Sequence, residues 1–455
     1  MRITRLRGFQ DIIGPSAHTV SCVEHAARRV AELHNFSEIR IPLLERIELY
    51  QRSSGETSDV VEKQMYAFGD RDEAETVIAL RPEGTPGVVR AFIEAGLDRS
   101  DPEQRFYYSG PMFRRERPQK GRFRQFNQFG VEVFGRPDAA CDAELLIMID
   151  ELRRELGLEL EFQINSLGDS SCRPAYRSAL LDWGRANLHR LCRDCHERLE
   201  RNPLRLLDCK VDAEVTASAP AIGDYLCDAC RAHFSTVENL LRASGVRYSF
   251  NPRLVRGLDY YNRTAFEVVS GAVGSQSAVV AGGRYDGLVE ALGGAPVAGT
   301  GFAIGLERLA LALEAAQSAT YPVPVVVLAM GNDLAAQASS LAGSLRLKGI
   351  RTDLLSPERG LKMLMRRADK LKARYALIIG ENERARGVVQ VRDLQESKQQ
   401  EVAFDEVVDH VAAKFAANPG SADGGCSLQP ANIDKPQAAD AQTLFRDATR
   451  KDILT

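Results

Sequence analysis

No stretch of the sequence approaches the ~20 uninterrupted apolar residues a helix needs to cross a bilayer, which argues against a membrane protein. The amino-terminal run MRITRLRGFQDII lacks the apolar core of a secretory signal. An excess of either charge is also missing: 59 Lys and Arg stand against 62 Asp and Glu, a net charge of −3. Bulk cationic attraction is therefore excluded as a basis for nucleic-acid binding, and any RNA contact must use local basic patches. There is no internal repeat. Nine cysteines, an odd number in a long chain without a signal, point to a reducing cytoplasm rather than a disulfide framework. What is present is ordinary for a globular protein: 44% hydrophobic and 27% charged residues over 455 positions, enough for two or three domains.

One local basic patch stands out, in the run GPMFRRERPQKGRFRQFNQFGVEVFG from Gly110 to Gly135. It reads as two strands, Phe113 to Glu116 and Phe123 to Phe134, because aromatic and β-branched residues recur at near-alternate positions in the second. Pro118 and Gly121 mark a loop between them. Six Arg or Lys residues lie between Arg114 and Arg124. Guanidinium groups projecting from strands suit bidentate binding of phosphate oxygens, although a solvated basic hairpin would carry the same residues.

The wording of this run is specific. Phe113-Arg114-Arg115-Glu116, a loop, and Arg124-Gln125-Phe126 resemble motif 2 of the class II aminoacyl-tRNA synthetases, and RPQKGRFRQF resembles the histidyl-tRNA synthetase family. Other stretches carry the same resemblance. An apolar stripe at Val20, Val23, Ala26, Ala27, Val30 and Leu33 predicts a helix from Ser16 to His34. The extended segment Phe36 to Leu43 and a helix from Glu45 to Arg52 follow. Together they are similar to motif 1, which in that family builds a homodimer interface; a core helix with an edge strand fits the same residues. Val77 to Arg81 reads as a strand, and PEGTP as a turn in which Thr85 caps the next helix with Pro86 at its first position. The run LRPEGT also resembles the family's amino-acid-binding loop.

Leu254 to Phe266 contains RGLDYY, a signature of the family, although an arginine, an acid and two tyrosines at a turn are also ordinary turn chemistry. GGRYDG from Gly282 resembles its glycine-rich loop, where missing side chains let backbone approach a ligand. GTGFAIGLERL from Gly299 reads as a strand passing into a helix, Leu306 to Leu313, and resembles motif 3. An arginine at that junction, Arg308, can reach a polyphosphate, or it can pair with Glu307 or Glu314.

Between about residues 170 and 245 lies a polar, helix-rich insertion with Cys192-Arg-Asp-Cys195 and Cys227-Asp-Ala-Cys230, and Cys209 between them. Two Cys-x-x-Cys pairs can offer four thiolates to one tetrahedral zinc ion; buried small hydrophobes are the alternative. Pro322-Val-Pro324 reads as a linker. Beyond it, strands at Val325 to Met330, Ile350 to Leu355, Ala376 to Gly380 and Gly387 to Val391 alternate with helices and predict a compact α/β domain. Its helix Leu361 to Lys372 and the residues just after it carry Lys362, Arg366, Arg367, Lys370 and Lys372, an RNA-facing or merely solvated side. From Ala417, Gly, Ser, Asp, Pro and Gln dominate, which predicts a disordered tail.

The resemblance covers about residues 1–414 and implies an α+β fold. A class II antiparallel sheet flanked by helices would occupy residues 1–322, with the insertion, and an α/β anticodon-binding domain residues 323–416. It implies a cytoplasmic homodimer that joins L-histidine to histidine tRNA, using ATP and Mg²⁺. By carry-over, Arg114 and Arg256 are catalytic and hold the α-phosphate side, Arg308 and Arg122 face the γ end, Phe126 stacks on adenine and Glu116 lies near its amine. Histidine would meet Glu83, Gly84, Thr85, Gln128, Glu132, Tyr260 and Tyr261, and the tRNA acceptor end would meet Arg117 and Gln119. One departure is Asn127, where many relatives have histidine. On a strand it points away from its neighbours, so little effect is expected. Two rivals remain. A non-catalytic histidine-sensing regulatory subunit would have lost the anticodon domain or the arginines, and a zinc-dependent nucleic-acid module explains only the cysteines.

Overall fold

The computed structural model describes residues 3–54, 63–70, 73, 76–256, 258, 260–274, 278–316, 325–355 and 360–416. The tail from Ala417, the 322–324 linker, Gly257 and Asp259 lie outside them. Among the described residues no helix is long and apolar enough to cross a membrane.

An eight-stranded sheet forms the frame, in the spatial order Ser37–Glu38, Gln104–Phe113, Gln125–Phe134, Gly299–Gly305, Ala278–Arg284, Asn262–Val269, Glu161–Ser166, Ser249–Phe250. Neighbours run antiparallel except at the two edges, where the two-residue strands pair in parallel. Those edge strands, of two residues each, are too short to show an alternating pattern in the sequence.

The period-two alternation divides the residues of the central strands between two environments. On Gln125–Phe134 the odd positions Phe129, Val131 and Val133 enter the main core. There they meet Val23 and Val30 of the helix Pro15–Leu33, Leu145 and Ile149 of Ala139–Glu155, Val237 of Asp228–Ala243 and Leu309 of Leu306–Ala316. The even positions Phe126 and Gln128 line a cleft on the opposite face. One buried polar knot ties these parts together. Arg284, fully buried, donates to Asp142 at 2.6 and 3.1 Å, to Asp286 at 3.0 Å, and to the carbonyls of Arg136 and Asp138. His233 contacts Asp142 at 2.8 Å, so the charges are paired and hydrogen-bonded as burial demands.

The first motif strand is longer and earlier than expected, Gln104–Phe113, and the second begins at Gln125. The segment after Phe113 leaves the ladder because Arg115 donates its amide to the Gln64 carbonyl and Arg124 to that of Gly8. Of the extended segment expected over Phe36 to Leu43, only Ser37–Glu38 pairs. Leu44–Arg46 is a strand, delaying the next helix to Ile47–Ser54; it pairs with Val77–Leu80, which pairs in turn with Tyr66–Gly69.

The carboxy-terminal unit holds a five-stranded sheet ordered Thr352–Leu355, Val325–Ala329, Tyr375–Ile379, Val388–Asp393, Lys398–Ala403. Its first three strands are parallel and its last two antiparallel. The strand Lys398–Ala403 and helix Val407–Ala416 extend the predicted pattern. The basic helix, Leu361–Lys370, buries Leu364 and Ala368 and leaves Lys362, Arg366, Arg367 and Lys370 exposed.

Candidate active site

A single cleft on the open face of the large sheet is lined by Glu83, Thr85, Arg114, Glu116, Arg122, Phe126, Gln128, Arg256, Tyr260, Tyr261 and Arg308. These residues are separated by up to 225 positions in sequence (Arg308 minus Glu83), and the sheet order explains their meeting. The strands that carry Gln128, Gly301 and Val280 are adjacent, and the loops bearing Glu83 and Tyr260 close one end.

That end is acidic and aromatic. Thr85 does not cap its helix: Thr85–Glu94 has Gly84 as N-cap with no side-chain cap, and the Thr85 hydroxyl donates to Glu132 Oε1 at 2.6 Å. Gly84 does not line the cleft; a Cβ there would overlap the Tyr108 ring, so glycine lets that ring pack against the loop. Glu132 also lies beneath the lining rather than in it, 1% exposed. Tyr285 donates to its Oε2 and Tyr108 reaches its Oε1 at 3.4 Å. Burial pushes the Glu132 carboxyl up to about 8, against the pull of the Thr85, Tyr285 and Tyr108 hydroxyls. Gly301 faces it across the ladder, and any side chain there would collide with the carboxylate. Tyr260 donates to Glu83 Oε2 at 3.0 Å and packs against Tyr261 with ring centroids 4.6 Å apart. Among the described residues Gln128 Oε1 is buried with no hydrogen-bond partner.

The other end is cationic. Arg114 donates to the Pro82 carbonyl at 2.8 Å and lies 5.3 Å from the centroid of the Phe126 ring. Arg256 pairs with Glu267 and sits 5.6 Å from the Tyr261 ring, and its buried Nε has no hydrogen-bond partner among the described residues. Arg308 donates to the carbonyls of Gly121 at 3.0 Å and Ala278 at 2.9 Å, not to Glu307 or Glu314. Burial first, and then neighbouring guanidinium groups, lower the pKa of Arg122 and Arg308. Clustered cations that repel one another in a cleft are a site for an anion of several charges. Arg122 is paired with Glu116, so two predicted nucleotide contacts engage each other here.

The loop tip is exposed at Arg117, Gln119 and Lys120, and Gln119 and Arg122 exchange backbone hydrogen bonds across it. Asn127 has a structural partner: its amide and carboxamide donate to Glu307 at 2.8 to 3.0 Å, tying the motif 2 strand to the motif 3 helix.

Sequence reasoning assigned no role to Tyr108, Tyr285 or Glu267, and offered Glu307 only as a partner of Arg308. Tyr108 and Arg114 are separated by an even interval on one extended run, which puts them toward the same face. Tyr285 sits inside the glycine-rich loop already noted. Glu267 carried no signal, and the partner of Glu307, Asn127, lies 180 residues away in sequence.

The cysteines do not gather around one point. Cys192 and Cys195 meet Cys209 and Asp212, while Cys227 and Cys230 meet Cys172 and Asp169, in two separate groups. The expected single site of Cys192, Cys195, Cys227 and Cys230 is therefore not formed; Cys209 and Cys172 complete the groups instead.

Known proteins resemble this chain over most of its length. The histidyl-tRNA synthetase family model matches residues 8–309 and the anticodon binding domain model residues 324–414. The histidine–tRNA ligase of Geobacter sulfurreducens is 48% identical over 416 residues, covering 91% of this chain and all of that protein. That of Pelobacter propionicus is 49% identical over 89% of this chain and 98% of the relative. The crystal structure of apo histidyl-tRNA synthetase from S. aureus superposes with a TM-score of 0.74 at 33% identity, covering 90% of this chain and 100% of that one. The chain belongs to the histidyl-tRNA synthetase family.

Proposed function

We propose that this chain activates L-histidine with ATP and transfers it to the 3′ end of histidine tRNA. The observation that carries the reading is the two-ended cleft, with Arg114, Arg122, Arg256 and Arg308 at one end and Glu83, Gln128, Tyr260 and Tyr261 at the other. Glu83 and the unpartnered Gln128 oxygen suit the histidine ammonium, which donates three hydrogen bonds. Tyr260 and Tyr261, backed by the Thr85–Glu132 pair, suit an imidazole with one donor and one acceptor.

Held this way, the histidine carboxylate points toward the arginines. Its oxygen attacks the α-phosphorus, the bond between that phosphorus and the bridging oxygen breaks, and pyrophosphate leaves. Arg114 and Arg256 spread the charge that builds on the α-phosphoryl oxygens, while Arg122 and Arg308 hold the outer phosphates. Phe126, already against Arg114, offers a ring face to adenine. In the second step a ribose hydroxyl of the tRNA attacks the histidyl carbonyl carbon and AMP departs. Magnesium, when bound, neutralises phosphate charge. The acidic residues of the cleft are engaged by other protein groups: Glu116 by Arg122, Glu267 by Arg256, Glu307 by Asn127 and Glu83 by Tyr260. Such a lining fits an ion carried on ATP phosphates better than an all-protein cage.

We assign catalysis to residues 1–322 and anticodon recognition to 323–416, whose exposed Lys362, Arg366, Arg367, Lys370 and Lys372 suit RNA phosphates. Arg117 and Gln119, exposed at the loop tip, would meet the acceptor end. A homodimer would cover the exposed Leu43, Leu44, Phe68 and Val77. A regulatory role without catalysis has no support in a cleft that retains four arginines. The test is charging: purified protein, ATP and labelled histidine should acylate histidine tRNA and no tRNA for another amino acid. Labelling of a different tRNA, or none with authentic histidine tRNA, would overturn the assignment.

A further inference from the structure

The insertion carries two groups of metal-ligand chemistry that the aminoacylation site does not use. Each is built from two x-x-spaced pairs: Cys192-x-x-Cys195 with Cys209-x-x-Asp212, and Asp169-x-x-Cys172 with Cys227-x-x-Cys230. In each group the four ligand atoms lie within 4.8 Å of one another. A tetrahedral ion with zinc–sulfur bonds of ~2.3 Å spaces its sulfurs about 3.8 Å apart. Cys192 Sγ and Cys209 Sγ are 3.8 Å apart. Iron–sulfur clusters of two or four irons hold their ligand sulfurs further apart, so the spacing calls for one ion per group.

The backbone is arranged alike at both. Cys192 is the N-cap of the helix Arg193–Arg201 with φ −72° and ψ 164°, and Cys227 is the N-cap of Asp228–Ala243 with φ −69° and ψ 164°. The second cysteine of each pair follows at the third helical position. Cys172 is likewise the N-cap of Arg173–Ala186. The positive ends of these helices thus face the sulfurs. The carboxylates are oriented in turn: Asp212 accepts from the Cys192 amide at 2.9 Å, and Asp169 accepts from the Ser171 amide at 3.0 Å with Arg263 3.6 Å away. Such supporting bonds fix a ligand's rotamer. Cys172, Cys195, Cys209, Cys230 and Asp212 are all buried.

We propose that the insertion binds two zinc ions, each held by three thiolates and one carboxylate. Three thiols lose their protons to solvent as each ion binds. The set of soft sulfurs with one hard oxygen suits zinc over copper(I). The first site is a clasp at the root of the insertion: Cys172 and Cys227, 55 residues apart, are brought together there, closing the segment on itself. The second pins the helix Arg193–Arg201, which buries only Cys195 and Leu199 and has little apolar packing to hold it.

The test is metal content of the full chain, purified without chelator or affinity metal. Wild type should carry two zinc ions per chain, Cys209→Ser and Cys172→Ser one each, and the double variant none. Cobalt(II) added to metal-free wild type should saturate at two equivalents with thiolate-to-cobalt charge-transfer absorption, a readout that needs no variant to fold. One shared ion lost in both single variants, iron in place of zinc, or a disulfide linking any two of the six insertion cysteines would each overturn the proposal.

Discussion

Replacing Glu132 by glutamine should remove a pH dependence from the stability of the ligand-free protein. The carboxyl is pushed from 4.5 up to about 8 by burial, with Glu83 adding repulsion and the Thr85, Tyr285 and Tyr108 hydroxyls opposing it. Between those two pH values the native state keeps a proton that the unfolded chain has released. Stability is therefore fully present below 4.5 and is lost as pH rises through about 8. At ~1.4 kcal/mol per pH unit, ionising Glu132 in place costs on the order of 5 kcal/mol. Glutamine keeps the shape and cannot ionise, and the three hydroxyls can rotate to accept from its amide. Melting temperatures of wild type and Glu132→Gln should lie close together near pH 5 and diverge toward pH 9. The variant should then be higher, by on the order of 5–10 °C at roughly 2 °C per kcal/mol. Parallel curves across that range would refute the assignment of a neutral buried acid beneath the cleft.

Arg256→Ala should lower histidine-dependent pyrophosphate exchange by at least ~100-fold, the ~3 kcal/mol expected for losing a group that stabilises transition-state charge, while histidine still binds calorimetrically; near-normal exchange would remove its role. Joint replacement of Arg117 and Gln119 by alanine should slow transfer to tRNA far more than exchange, since both are exposed on the loop; equal losses would mean the loop only covers ATP. Arg284→Met leaves Asp142 buried beside His233 with one cation fewer and should cost ~3–5 kcal/mol in denaturant unfolding; a loss under 1 kcal/mol would show that the knot is not a linchpin of the fold.

How far the sequence reaches differs from feature to feature. Helix Pro15–Leu33 followed from its apolar stripe, while Phe126 and Gln128 came from the family resemblance and sit on the even, cleft-facing positions of their strand. The cleft-lining arginines were readable because motif wording fixed them one by one. What could not be read depends on contacts between distant segments. Thr85 is drawn from helix capping by a carboxylate 47 residues away, and Asn127 and Glu307 meet across 180 residues. The cysteine grouping failed for the same reason: spacing along the chain pairs Cys192 with Cys195, but only the fold brings Cys209 and Asp212 to them.

The central claim is tested most directly by ATP–pyrophosphate exchange, run with each of the twenty amino acids in turn and without tRNA. Exchange that depends on histidine alone is the predicted result. Exchange with another amino acid, or none with histidine in the presence of magnesium, would contradict the reading of the cleft.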